Sequence, residues 1–164
     1  MFIPEDSLLA KVDGVYNAIQ VEGDLVGKVI FYGQGAGPSA TSSAVVADVI
    51  NIAQNISHGV DNAPRLLMGR GQAIKPMADI ETRYYVRMSV ADRAGVLAQI
   101  SKILGDHSIS ISSVIQKETD PSTQTAEIVI MTHPAEEQAV QKALKETKHL
   151  GVVKEISNFV RVEA

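Results

Sequence analysis

The sequence has no cysteine and no tryptophan. Without thiols there are no disulfides, no thiolate metal sites and no cysteine nucleophile. Aromatic residues are scarce, four Tyr and three Phe in 164 residues. The core must therefore be aliphatic, built from Val, Ile, Leu and Ala. Positive charge is also short: 15 basic residues face 19 acidic ones, a formal charge of −4. That opposes nucleic-acid binding, which draws its affinity from clustered Lys and Arg. No run approaches the ~18 apolar residues that a membrane-spanning helix needs. The start, MFIPEDSLLAK, has acids where a signal peptide has a basic region, so the expectation is a cytoplasmic protein. Hydrophobic residues make up 45% and charged residues 21%, which excludes a disordered tail.

The chain divides into three parts. In residues 1–57, Val15, Asn17, Ile19 and Val21 alternate with Tyr16, Ala18, Gln20 and Glu22, the period of a strand. Gly23-Asp24 marks a turn, and Leu25 to Tyr32 reads as the second strand of a hairpin. A glycine-rich loop, Gly33 to Pro38, precedes a helix that Ser39 or Thr41 can cap. Val45, Val49, Ile52, Ala53 and Ile56 give that helix one apolar stripe, and His58-Gly59 ends it. Residues 58–81 lack any period and read as a surface linker between domains.

Residues 82–164 are the most regular. Tyr84, Val86, Met88 and Val90 alternate along a strand; Asp92 to Gly95 turn; Val96, Leu97, Ile100, Ile103 and Leu104 stripe a helix. Ile109 to Glu118 is a second strand, Asp120 to Thr123 a turn, and Thr125 to Thr132 a third strand. Pro134 suits the first turn of a second helix, which Ala135, Gln138, Ala139, Lys142, Ala143 and Glu146 fill out. Val140 and Leu144 anchor its buried side; Gly151 marks its end, and Val152 to Val162 is the last strand. The fold class is α+β: a ferredoxin-like βαββαβ sandwich with helices on one sheet face, preceded by a hairpin and helix. On the second strand Ile109, Ile111 and Ile115 are expected on one side and Val114 on the other. Both sheet faces are then partly apolar. Either a second copy or the upstream segment covers the face without helices, and self-association is the expectation.

Arg83 to Leu97, RYYVRMSVADRAGVL, resembles the opening of an ACT domain, a module that senses amino acids and regulates metabolic enzymes. Its Asp-x-x-Gly-Val-Leu turn matches Asp92 to Leu97. The resemblance implies an effector site at Asp92, Ala94, Gly95, Val96 and Leu97, with Ser112 and Ser113 added by the second strand of a partner subunit. Chemically, a glycine lets a ligand approach the main chain, and a helix N-terminus offers free N–H groups to a carboxylate. The competing reading is that Asp92 caps the helix and Gly95 only permits the turn.

The first part narrows the resemblance. Gly14-Val-Tyr-Asn-Ala-Ile, Val21-Glu-Gly-Asp, Phe31-Tyr-Gly-x-Gly-Ala-Gly and Ser43-Ala-Val-Val-Ala-Asp48 resemble the end of the catalytic region of homoserine dehydrogenase. Pro76 to Tyr85 resembles its junction to a C-terminal ACT domain. One departure is that Pro38 follows the glycines directly and Thr41 comes later, where the family has a Pro-Thr pair. The resemblance implies a regulatory C-terminal fragment of an NAD(P)-dependent oxidoreductase. In the parent, Gly35 and Gly37 lie beside the cofactor; the catalytic residues lie upstream, so the fragment should neither turn over nor hold the cofactor. Threonine is the implied effector, acting as feedback inhibitor.

Alternatives stay open. The glycine loop also reads as a plain strand-to-helix turn, since Gly-x-Gly-x-x-Gly with a ribose-binding acid is missing. Glu22 and Asp24 read as hairpin solubilisers rather than substrate carboxylates. The four His (58, 107, 133, 149) stand singly at element ends, so no metal site is expected. A free-standing amino-acid sensor is the rival function; it requires residues 1–57 to fold by themselves. An RNA-recognition module is disfavoured, because Thr125 to Thr132 offers no aromatic to stack a base.

Overall fold

A computed structural model of the chain describes residues 1–59, 73–116 and 124–163. The expected turn at Asp120 to Thr123 and most of the 58–81 stretch lie outside the described residues. The chain forms two compact units: Pro4–Ala73, and Met1–Ile3 together with Ile74–Ala164.

The first unit opens with a single 3-10 turn, Leu8–Lys11, whose Leu9 N–H donates to Ser7 Oγ. Strands β1 (Tyr16–Gly23) and β2 (Gly27–Gln34) form an antiparallel hairpin, in register from Tyr16↔Gln34 to Gly23↔Gly27. The connection is Asp24-Leu25-Val26, so β2 begins two residues later than the expected Leu25. Gly27 closes it with φ +70°, a backbone that a side chain disfavours. Tyr16 and Tyr32 stack with ring centroids 4.9 Å apart. Helix α1 (Pro38–Ser57) follows. Its N-cap is Gly37, not Ser39 or Thr41, and no side chain caps it. Pro38 takes the first helical position, where its fixed φ fits and its missing N–H costs nothing, and this moves the start upstream of both hydroxyls. His58 ends it as expected.

The second unit holds the chain's hydrophobic core. Strand β3 (Glu81–Ala91) sits inside the sheet, with β5 (Thr125–Thr132) and β7 (Val153–Val162) antiparallel on either side. Strand β4 (Ile111–Gln116) pairs with β5 at the edge. The order β4-β5-β3-β7 is that of the ferredoxin-like sandwich. Helices α2 (Val96–Asp106) and α3 (Glu137–Lys148) supply the other side of the core. Tyr84, Val86, Met88 and Val90 alternate inward and meet Ala126, Ile128, Ile130, Ile100, Leu104, Val140 and Ala143. Each large aliphatic side chain so buried contributes about 1.5–3 kcal/mol. Thr132 is buried with them, and its Oγ1 accepts from the Tyr84 N–H at 3.0 Å, just beyond the β3–β5 ladder.

Two expectations are corrected here. A register shift between Ile111 and Ser113 inserts a bulge into β4 and reverses its alternation. Ile111 and Val114 therefore both pack on the core, while Ile115 is exposed. Helix α3 begins at Glu137 rather than at Pro134, because Ala135–Glu136 forms a short strand, β6, paired with Glu81 and Thr82. The Glu137 N–H then donates to Ile80 O at 2.8 Å. Tertiary pairing overrides the proline signal. Within α3, Ala143 is fully buried beside Val140, and Thr147 joins it one turn on.

The sheet face without helices carries Tyr85, Arg87 and Ser89 of β3 opposite Met131, Val129 and Glu127 of β5. Arg87 Nε donates to Glu127 Oε2 at 2.6 Å across it. Phe2 lies edge-on to Tyr85, centroids 5.3 Å apart, and its backbone bonds to both sides of Val162: Phe2 N–H to Arg161 O, Glu163 N–H to Phe2 O. Residues 1–3 thus occupy part of the surface that the sequence leaves to either a second copy or the upstream segment.

Candidate functional site

A cleft of about 280 Å³ opens where β3 turns into α2, lined by Val90, Ala91, Asp92, Arg93, Ala94, Gly95, Val96, Leu97, Gln116 and Ile128. That volume suits a small molecule rather than a drug-sized one. The turn is built by backbone bonds. Ala91 N–H donates to Val152 O at 2.8 Å, and Asp92 N–H to Gln124 O at 3.1 Å. Gly95 is the N-cap of α2, at φ +87° and with nothing within 4 Å of where a Cβ would sit. Gly95, as N-cap, has no side chain with which to cap the helix. Asp92 and Arg93 put one acid and one base on the rim, both exposed; Val96 is buried and Leu97 half-buried on the floor.

Five of the seven effector residues expected from the sequence, Asp92, Ala94, Gly95, Val96 and Leu97, line this one cleft. Ser112 and Ser113 do not; they are exposed on the edge strand β4. Arg93 and Gln116 do line it and were missed. Arg93 lies within the recognised turn and was available to sequence reasoning. Gln116 arrives through its pairing with Ile128, which depends on the β4 bulge and leaves no sequence signal.

In the glycine loop the two expected glycines have different surroundings. The Gly35 N–H donates to Val15 O at 2.8 Å, and a Cβ on Gly35 would fall 1.6 Å from Asn17 Nδ2. The space that glycine leaves is filled by Asn17. Gly37, at φ +128°, has open space beside it and borders a shallow hollow with Pro38, Thr41, Ser42, Val45 and Val46. The two glycines therefore do not face one site. Asp24 accepts from its neighbour Leu25 N–H at 2.8 Å, and exposed Glu22 lies 4.0 Å from Lys28, the positions of hairpin solubilisers. His107 bonds Glu146 at 2.9 Å, while the His58 and His149 rings contact the carbonyls of Gln54 and Lys145. Among the described residues, no cluster of three His, Asp or Glu could hold a metal, and no helix is long and apolar enough to cross a membrane.

A buried polar cluster escaped the sequence reading. Glu137, its side chain 5% exposed, accepts from Arg161 Nε at 2.7 Å and Arg161 Nη2 at 2.8 Å. It also accepts from Tyr84 OH at 3.0 Å and Gln141 Nε2 at 2.8 Å. The Arg161 hydrogen bonds hold the Glu137 carboxyl below its ordinary range. Burial, with the Glu137 carboxylate beside it, pushes the Tyr84 hydroxyl up to about 12. The cluster lies at the start of β3 and the cleft at its end, so it ties strands to α3 rather than forming part of the cleft.

The second unit is thus a ferredoxin-like domain with a ligand-sized cleft at its first strand-to-helix turn. Residues 84–151 match the ACT domain family, and residues 1–50 match the homoserine dehydrogenase family. The chain is 40% identical over 169 residues to homoserine dehydrogenase of Neisseria gonorrhoeae, covering 99% of this chain and 38% of that protein. It is 41% identical to the Synechocystis sp. enzyme, covering 98% of this chain and 38% of that protein. A crystal structure of a homoserine dehydrogenase from Thiobacillus denitrificans superposes with a TM-score of 0.77 at 37% identity, covering 98% of this chain and 37% of that one. The chain corresponds to the C-terminal region of homoserine dehydrogenase, the end of the catalytic region followed by an ACT domain. It spans a little over a third of the length of the relatives it matches.

Proposed function

We propose that this chain is the regulatory part of a homoserine dehydrogenase and that its ACT cleft binds an amino acid, threonine in particular, as feedback inhibitor. The parent interconverts L-homoserine and L-aspartate 4-semialdehyde, with hydride transfer to or from NAD(P) in the cytoplasm. The cleft at Gly95 carries the reading. A free amino acid brings a carboxylate and an ammonium together. The N-terminus of α2 favours the carboxylate, through N–H groups and the positive end of the helix dipole. Asp92 stands on the same rim. Gly95 removes the Cβ that would stand between ligand and backbone. Ser112 and Ser113, exposed on β4, would reach the ligand of a second copy paired side by side.

By themselves the chain's residues do not make a complete site for NAD(P). When bound in a homoserine dehydrogenase, the cofactor accepts or donates the hydride. Of Gly35 and Gly37, the space beside the first is filled by Asn17 and that beside the second is open. No step is therefore assigned to these residues, and the chain alone should show no turnover with homoserine and NADP. The free-standing sensor requires residues 1–57 to fold by themselves, yet no described residue from 4 to 59 is buried. That favours the regulatory reading. Calorimetry with threonine is the test. Binding heat that disappears in Gly95→Val supports the sensor; no heat with threonine, isoleucine, methionine or lysine at millimolar concentration refutes it.

A further inference from the structure

The chain passes between the two units twice, after Ile3 and before Ile74. Within the ACT unit both stretches are held at one place. Residues 1–3 lie on the end of β7, where the Phe2 N–H donates to Arg161 O at 2.7 Å and the Glu163 N–H to Phe2 O at 2.9 Å. The other stretch arrives through a 3-10 turn, Met77–Asp79, and then Ile80, whose carbonyl accepts from the Glu137 N–H at 2.8 Å. Two residues on, Thr82 Oγ1 donates to Val162 O at 2.7 Å, between the two residues that hold Phe2. Arg161 thus carries one stretch on its backbone and Glu137 carries the other. Their side chains are joined by two parallel hydrogen bonds, a planar fork that either fits the carboxylate or loses it. The buried Glu137 carboxylate has no water to turn to if the fork opens.

Two strands connect this pair to the cleft. Strand β3 runs from Tyr84, which donates to Glu137, to Val90 and Ala91 on the cleft wall. Strand β7 ends at the Arg161 side and starts just after Val152, whose carbonyl accepts from the Ala91 N–H. We propose that Glu137 and Arg161 are positioning residues at the output end of the ACT unit: one ion pair fixes or releases both stretches that run to the first unit, and an effector in the cleft acts on them through it. The proposal rests on the reading of the cleft as an amino-acid site. Its two-state element is the fork, closed or open.

Native-state hydrogen exchange on the whole 164-residue chain, resolved at single amides, is the test. Each substitution is judged at the stretch it does not touch. Glu137→Gln removes the charge and keeps the shape; it should speed exchange at Phe2 and Glu163 roughly tenfold. Arg161→Lys keeps the charge and loses the fork; it should do the same at the Glu137 N–H. Core amides of β3 and β5 report global unfolding, so release counts only where it exceeds theirs. A change that stays on its own side of the pair, or that only matches the core amides, overturns the proposal. Saturating threonine should change exchange at Phe2, Glu163 and Glu137 by a common factor in the unmodified chain. In Glu137→Gln it should leave Phe2 and Glu163 unmoved while calorimetry still shows binding heat. Binding that moves none of these amides in the unmodified chain overturns the output role. Absence of binding heat there refutes the effector reading instead, and release of both stretches in the two variants without ligand still supports the pair as their common hold.

Discussion

Replacing Glu137 with Ala should cost the ACT unit about 3 kcal/mol, against roughly 1 kcal/mol for Tyr84→Phe. The figure follows from the geometry. Glu137 takes two parallel hydrogen bonds from Arg161, one from Tyr84 and one from Gln141. Removing one partner of a fully buried ion pair costs about 3–5 kcal/mol. Arg161 is 37% exposed and can turn to water, which brings its share down to about 2 kcal/mol. The Tyr84 hydroxyl cannot turn away and adds about 1 kcal/mol as a buried, unpaired donor. In a unit of this size the melting temperature should fall by roughly 12–24 °C. Urea unfolding followed at resolved amide resonances of residues 82–162 checks it, since the chain has no tryptophan to report. The charge can be tested separately. The Arg161 bonds lower the carboxyl's folded pKa, so the contribution is complete above the ordinary carboxylate value. It fades as pH falls through the lowered folded value. Glu137→Gln keeps the shape without the titration, so its stability should fall less on the acid side. A cost below about 0.5 kcal/mol for Glu137→Ala, or identical acid profiles for Glu137→Gln and the unmodified chain, refutes the reasoning.

Gly95→Ala forces a side chain into a left-handed turn and should cost about 1–2 kcal/mol by thermal melting; an unchanged melt would contradict the turn's geometry. Ile115→Lys places a charge on the exposed outer face and should abolish self-association in sedimentation velocity; a monomeric unmodified chain refutes sheet-face pairing. Gly35→Ala must displace the Asn17 amide, so hydrogen exchange at hairpin amides should quicken and recover when Asn17→Gly is added.

What the sequence disclosed followed how local each cause is. The alternation of Tyr84, Val86, Met88 and Val90 is a property of one strand, and the glycine of the α2 turn is a property of one residue; both were legible. The hairpin pairing was legible too, though its turn sits later than the Gly-Asp signal. The side-chain parity of β4 was not, because one bulged residue at the edge reverses everything after it. The start of α3 was not, because Ala135 answers to its pairing with Thr82 across more than fifty residues. Arg161 and Glu137 meet only after β7 has paired with β3, so nothing near either residue announces the other. The cleft divides along the same line: the residues of one turn were found, and Gln116, brought in by strand pairing, was not.

The contrast in burial between the two units decides which of them can be stable alone. Every residue of the aliphatic core lies between Tyr84 and Val153, and two helices and four strands share it. That suffices for a small domain of about 90 residues. The first unit has a hairpin and a twenty-residue helix, and none of its described residues is buried. An isolated two-stranded hairpin is marginal in water, and so is a single helix of this length. Hydrogen exchange should therefore split the chain. Amides of β3 and β5 should show the protection of the full unfolding free energy, and those of α1 almost none until a hydrophobic partner covers Val49 and Ile52. If α1 is as well protected as β3 in the chain by itself, then its stripe is already covered and the contrast in burial does not set the stability of the first unit.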